Sequence, residues 1–176
     1  MMITAFKPKN QVVLYSIHES DRGQKVRWLL EEMTVPYDVV LMNRKAMPEK
    51  YAEINPMMCV PTLEFDGKTM FESTAILAFL ADRFAEKGLA PSVESSDRHL
   101  YLQWLIFSEA SLERALGRYW LVEDIPNGAK CERYEELREE VDSTLQTINQ
   151  ALKDREYLLG SRFSAADIAV SYYLNR

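Results

Sequence analysis

Two periods of apolar residues run along this chain, and one of them stops near its middle. Up to residue 86, short apolar runs alternate with helical stripes; from residue 97 only helical stripes remain. After a polar lead-in, Met1 to Asn10, expected to be a poorly ordered extension, Gln11 to Ser16 (QVVLYS) reads as a buried strand. Val26, Leu29, Leu30 and Met33 share one helical face, and Tyr37 to Met42 (YDVVLM) reads as a second buried strand. Strand, crossover helix and strand at these lengths predict a right-handed parallel βαβ unit. A short helical patch follows around Glu49 to Ile54.

Thr62 to Phe65 and Lys68 to Phe71 then flank Asp66-Gly67, a strong two-residue hairpin signal. Ile76, Leu77, Leu80 and Phe84 recur at helical spacing, with Ser73 in the place of an N-cap. The order of elements is βαβαββα. Lys87 to Ser96 (KGLAPSVESS) is rich in Gly, Pro and Ser and reads as a linker. The expectation is therefore an α/β domain over 11–86, a linker over 87–96 and an all-α helical bundle over 97–176.

Within that second part Asp97 to Leu121 is helical, and Tyr134, Leu137, Val141, Leu145 and Ile148 form a stripe within the stretch Cys131 to Leu152. Such a stripe is core rather than a cofactor box. Ser164-Ala165-Ala166-Asp167 is a capping box, with Phe163 and Ile168 at the staple positions. Its role is structural, and the chain is expected to stop at Arg176 still inside that helix, leaving the bundle incomplete at its C-terminus.

Composition narrows the function classes. At 47% apolar and 27% charged, the chain is that of a soluble globular protein, with no segment long and apolar enough for a membrane span. A formal charge of −6 argues against nucleic acid as a partner. Cys59 and Cys131 are far apart and form no CxxC, which points to a reducing, cytoplasmic setting and away from a dithiol site. With only His18 and His99, no metal-ligand cluster is expected.

Chemistry is concentrated at two corners of the hairpin unit. One is the backbone of Val60 before Pro61, where a strand starts on its proline. The other is the helix start at Glu72-Ser73, where N–H groups and the helix dipole favour an anion. Taken singly, each has a bland reading: Pro61 ends a loop and Ser73 caps a helix. Their order and spacing together are much less common.

Those residues resemble the glutathione S-transferase family from Val12 onward: VPTL with its Asp-Gly hairpin, the Glu72-Ser73 pair with its helix, the proline-bearing linker and the capping box at Ser164. The resemblance implies a thioredoxin-like first domain, a helical second domain and a homodimer. It implies glutathione as co-substrate, bound near Cys59, Val60, Pro61, Glu72 and Ser73, and a small electrophile as second substrate. It further implies a cis bond before Pro61, pairing of the Val60 backbone with glutathione's cysteine moiety, and γ-glutamyl binding at Glu72-Ser73. Family members usually carry further helices beyond the capping-box helix.

The spacing from Tyr15 to Ser20, ahead of Lys25-Val26-Arg27, is that of serine-type, zeta-like members. In that register Ser20 is the catalytic serine, with Ser16 the second choice. Lowering a thiol pKa from about 8.5 by ~2 units takes roughly 2.7 kcal/mol. A hydroxyl donating to the thiolate supplies about 1.5–3 kcal/mol, and a helix N-terminus about 0.3–1 kcal/mol. Ser20 therefore only needs to donate. Two departures stand out: Asp21-Arg22-Gly23 replaces small Ser/Cys residues, and Cys59 replaces a polar one. The Asp21 carboxylate, about 5 Å from the sulfur, would oppose the thiolate by roughly 3 kcal/mol at an effective dielectric of ~20, unless Arg22 or Lys25 neutralises it or it points away. Three readings follow: a transferase, a zeta-type cis–trans isomerase, and a non-catalytic regulator of the stringent starvation protein A type that binds RNA polymerase.

Overall fold

All five residues of β1 (Val12–Ser16) are buried, so it forms the spine of a four-stranded sheet of order β2-β1-β3-β4. The computed structural model describes residues 11–17, 21–123 and 133–175. The lead-in to Asn10 lies outside them. The chain divides into two compact units, Met1–Lys87 and Gly88–Arg176.

In the first unit, α1 (Gly23–Glu32) buries Val26, Leu29 and Leu30 completely, as its stripe predicts. Each such burial contributes about 1.5–3 kcal/mol. β2 (Asp38–Leu41) pairs parallel to β1, Leu14 against Val39. It is a half-buried edge strand and not the buried one expected, because only β1 covers it and Leu41 is left exposed. The patch after it is a 3-10 helix, Glu49–Glu53. β3 (Thr62–Phe65) and β4 (Lys68–Phe71) form the hairpin across Asp66-Gly67, both with positive φ. α2 (Ser73–Arg83) buries Ile76, Leu77 and Leu80 and packs on α1. Its N-cap position is held by Glu72, with Ser73 the first helical residue; the expected Ser73 cap is off by one because the chain turns at Glu72, φ +73°.

The second unit is helical among its described residues: α3 (Arg98–Phe107), α4 (Arg114–Glu123), α5 (Tyr134–Leu152) and α6 (Ala165–Leu174). A π-helical turn, Ser108–Glu113, joins α3 to α4. α3 packs on α6, and α4 on α5. Leu137 and Ile148 of the α5 stripe are buried, and Tyr134, Val141 and Leu145 half-buried. The capping box is formed from both sides, and Asp167 Oδ1 also accepts from the N–H of Leu158 at 2.8 Å. α6 ends at Leu174 with Asn175 as C-cap, and Arg176 lies outside the described residues.

Candidate functional site

The sheet register gathers three stretches at one end. Tyr15 pairs with Thr62, and Thr62 with Phe71. The residues leaving β1, entering β3 and leaving β4 therefore lie side by side: Ile17, Val60-Pro61 and Glu72-Ser73. Beneath them Val13, Tyr15, Ile17, Met42 and Tyr51 form a buried cluster, and Val60 packs against it.

The Val60-Pro61 bond is cis, as the resemblance implies. The loop before it is fastened by three fully buried polar side chains, Tyr51, Asn55 and Thr62. The Asn55 amide donates to the Cys59 carbonyl and to Thr62 Oγ1, each at 2.9 Å. The Tyr51 hydroxyl donates to that same carbonyl at 2.9 Å and lies 2.7 Å from Thr62 Oγ1. One assignment of protons satisfies every contact: Asn55 gives to Thr62, Thr62 to Tyr51, Tyr51 to Cys59. Burial, above all, raises the Tyr51 pKa, so the phenol keeps the proton this ring needs. Asn55 Oδ1 accepts from the N–H of Met57 at 2.9 Å, an Asx turn that starts the loop. The loop presents the backbone of Cys59 and Val60 from a fixed frame, and the Cys59 side chain is exposed.

At the second stretch the Asp21 carboxylate is buried in the turn that starts α1. It accepts from Ser16 Oγ at 3.1 and 3.2 Å, from the N–H of Ile17 at 3.1 Å and from the N–H of Gly23 at 2.9 Å. The charge expected to oppose a thiolate is thus spent on the chain's own donors. Ser16 is fully buried with its hydroxyl committed to Asp21. Ser20, the first candidate, lies outside the described residues, as do His18 and Glu19.

At the third stretch Ser73 is 4% exposed at the start of α2, behind an exposed Glu72 in the left-handed region. Lys25 is completely buried and its Nζ donates to Thr74 Oγ1 at 3.0 Å, tying α1 to the first turn of α2. The N–H groups and dipole at that helix N-terminus favour an anion above Ser73. Sequence reasoning passed over Tyr51 and Thr62, took Asn55 only as a chain break and Lys25 only as a cation able to neutralise Asp21. No group of three or more His, Cys, Asp and Glu side chains suited to a metal ion occurs among the described residues.

Residues 14–88 match the family described as glutathione S-transferase, N-terminal domain, and residues 132–176 its C-terminal domain. Glutathione S-transferase 3 of Schizosaccharomyces pombe is 30% identical over 174 residues, covering 89% of this chain and 70% of that protein. A probable maleylacetoacetate isomerase of Drosophila melanogaster is 33% identical over 86 residues, 46% of this chain and 38% of its own. Among solved structures, a glutathione transferase family member from Pseudomonas fluorescens, with two glutathione bound, superposes with a TM-score of 0.82. It is 25% identical, over 94% of this chain and 76% of its own.

Proposed function

The chain belongs to the glutathione S-transferase family, with a thioredoxin-like unit followed by a helical one, and from that premise we propose that it binds glutathione and holds its thiolate for attack on a small electrophile. One observation carries the reading: the backbone of Val60 before cis-Pro61, fastened by Tyr51, Asn55 and Thr62, lies at the same end of the sheet as the α2 N-terminus. An extended tripeptide needs such a backbone edge for its middle residue and an anion site for its γ-glutamyl carboxylate.

In this reading Val60 pairs with the cysteine moiety, with Cys59 and Pro61 shaping the loop around it. Glu72 meets the γ-glutamyl amine and Ser73 its carboxylate. Ser20 donates to the sulfur. Attack on the electrophile forms the carbon–sulfur bond as its leaving group departs or its double bond takes up the electron pair. Asp21 supports the reading, since its carboxylate is absorbed by Ser16 and two backbone N–H groups. That weakens the ground for a non-catalytic regulator. A cytoplasmic homodimer is part of the proposal; exposed Phe71 on the edge strand β4 and exposed Phe79 on α2 offer unit 1 an apolar face.

Retention on immobilised glutathione with elution by free glutathione, followed by a conjugation assay on an activated aryl halide, tests it. A protein that passes through unretained and conjugates nothing overturns it. A second reading, glutathione-dependent cis–trans isomerisation, is favoured by the likeness of 86 residues to the Drosophila protein. Isomerisation of a cis-enone without net consumption of glutathione would select it.

A further inference from the structure

The opposite end of the same sheet carries a cleft of its own. A cleft of about 400 Å³ opens where β1 begins and both α1 and α2 end. Its floor is apolar, made of buried Val12 and Val35 with the half-buried ring of Phe84; exposed Pro36, Glu86 and Lys87 stand at the mouth. That volume is within the range of small-molecule sites. The five residues of β1 place it roughly 17 Å from the cis-Pro61 end.

The electrostatics of this end are one-sided. The last turn of α1 carries Glu31 and Glu32 and no basic residue, so its side chains add to the negative end of the helix dipole. α2 ends at the same cleft with Phe84 as its C-cap. The register puts Asp38 level with Val13, and Asp66 at the hairpin accepts from Gln11 Nε2 at 2.6 Å. Glu86 lines the cleft itself; the other four carboxylates belong to the elements that end near it, with Glu31 held by the Tyr37 hydroxyl and Glu32 by the Trp28 indole N–H. Against them stand Lys68, Lys87 and Arg83, the last lying over the Phe65 ring at 5.5 Å. An anionic ligand would meet a repulsive field. A bare metal ion would gain nothing from Val12, Val35 and Phe84.

We propose that this cleft is a ligand site separate from the glutathione site, and that it takes a small organic cation: a primary ammonium carried on a flat apolar body. The body lies on Val12, Val35 and Phe84, where the ring also offers a cation its face. The ammonium sits at the mouth beside Glu86, in the field of the two helix ends. The inference stands whether or not the chain conjugates glutathione.

The test titrates the protein with benzylamine, benzyl alcohol and benzoate, reading binding by calorimetry and by amide shifts at Thr34, Val35 and Lys87. The expected order is benzylammonium strongest, the alcohol weaker and benzoate undetected. Glu86→Lys should weaken benzylammonium by about fivefold or more and leave the alcohol unmoved, a step beyond one exposed ion pair. Lys87→Glu should strengthen it. Both residues are exposed, so both variants should fold. Equal binding of the alcohol and the amine, no saturable amine binding, or indifference to both reversals would overturn the proposal. Benzylammonium that elutes the protein from immobilised glutathione would overturn it too, by placing the amine in the other site.

Discussion

The Ser16 hydroxyl donates to Asp21, 3.1 Å to the nearer oxygen, and the bond closes the turn between β1 and α1 from inside. Within the proposed function, that bond makes Ser16 part of the scaffold, and Ser20 is the proposed donor to the sulfur. Ser16→Ala should cost about 1 kcal/mol of stability, the net worth of one hydrogen bond, while glutathione conjugation persists. Ser20→Ala should raise the pKa of bound glutathione's thiol by one to two units, at roughly 1.36 kcal/mol per unit. Ultraviolet titration of the bound thiolate separates them; loss of the thiolate in Ser16→Ala alone would reverse the assignment.

Gly23 stands against that bond. A Cβ there would lie 2.6 Å from Ser16 Oγ and 2.8 Å from Asp21 Oδ1. Gly23→Ala should therefore destabilise by about 1–3 kcal/mol, although alanine is the better helix former by about 1 kcal/mol. Gly117, in α4, meets nothing nearer than 3.8 Å, and Gly117→Ala should stabilise by up to that 1 kcal/mol. Denaturant melts of the two variants should move in opposite directions.

Asn55→Ala would remove the donor to the Cys59 carbonyl and to Thr62 and the acceptor for Met57. The expected loss is about 2–4 kcal/mol, more than one net hydrogen bond because buried partners are stranded. Glutathione KM should rise with it. Met57→Ala, at a side chain 66% exposed, should change neither. An Asn55→Ala protein with unchanged KM would show that the loop frame does not set glutathione affinity.

Ser73→Ala should weaken glutathione binding by about 1.5–3 kcal/mol, the scale of a hydrogen bond to a charged group. Because Glu72 occupies the N-cap position, the variant loses no N-cap and should lose about 1 kcal/mol of stability, the net worth of one buried hydrogen bond. Calorimetry gives the first quantity and thermal melts the second. Unchanged affinity in a folded variant would move the γ-glutamyl carboxylate elsewhere.

Burial, and then its bond to Glu31 at 2.7 Å, pushes the Tyr37 pKa up to about 12 from 10.0. The folded chain then keeps a proton that the unfolded chain releases above pH 10, so the contribution is whole below that pH and lost as pH rises toward 12. Tyr37→Phe should flatten the alkaline fall in stability over that window. Equal slopes in both proteins would show that Tyr37 is not the group responsible.

The repeating elements were legible because a period is written many times over: the α1 stripe, the hairpin at Asp66-Gly67 and the capping box at Ser164 all form as read. What depends on one residue's surroundings was not. The YDVVLM run suits a central or an edge strand equally, and only the sheet order exposes Leu41. Asp21 read as a charge hostile to the site, although Asp-x-Gly ahead of a helix is itself an acceptor-and-turn signal. Lys25 read only as a cation able to neutralise Asp21; its complete burial against Thr74 had no signal, since lysine is almost never fully buried.

The π-helical turn at Ser108–Glu113 acts as a phase shifter. α3 turns its buried face to α6, α4 turns its own to α5, and the wide turn between them sets the rotation from one to the other. Each residue added or removed there would swing Ala115 and Leu116 by about 100° around the helix. A single deletion that restored regular helix geometry would therefore mend the backbone and aim the apolar stripe of α4 at solvent. In that stretch the count of residues matters alongside their identity, since Ser108 and Leu112 are themselves fully buried.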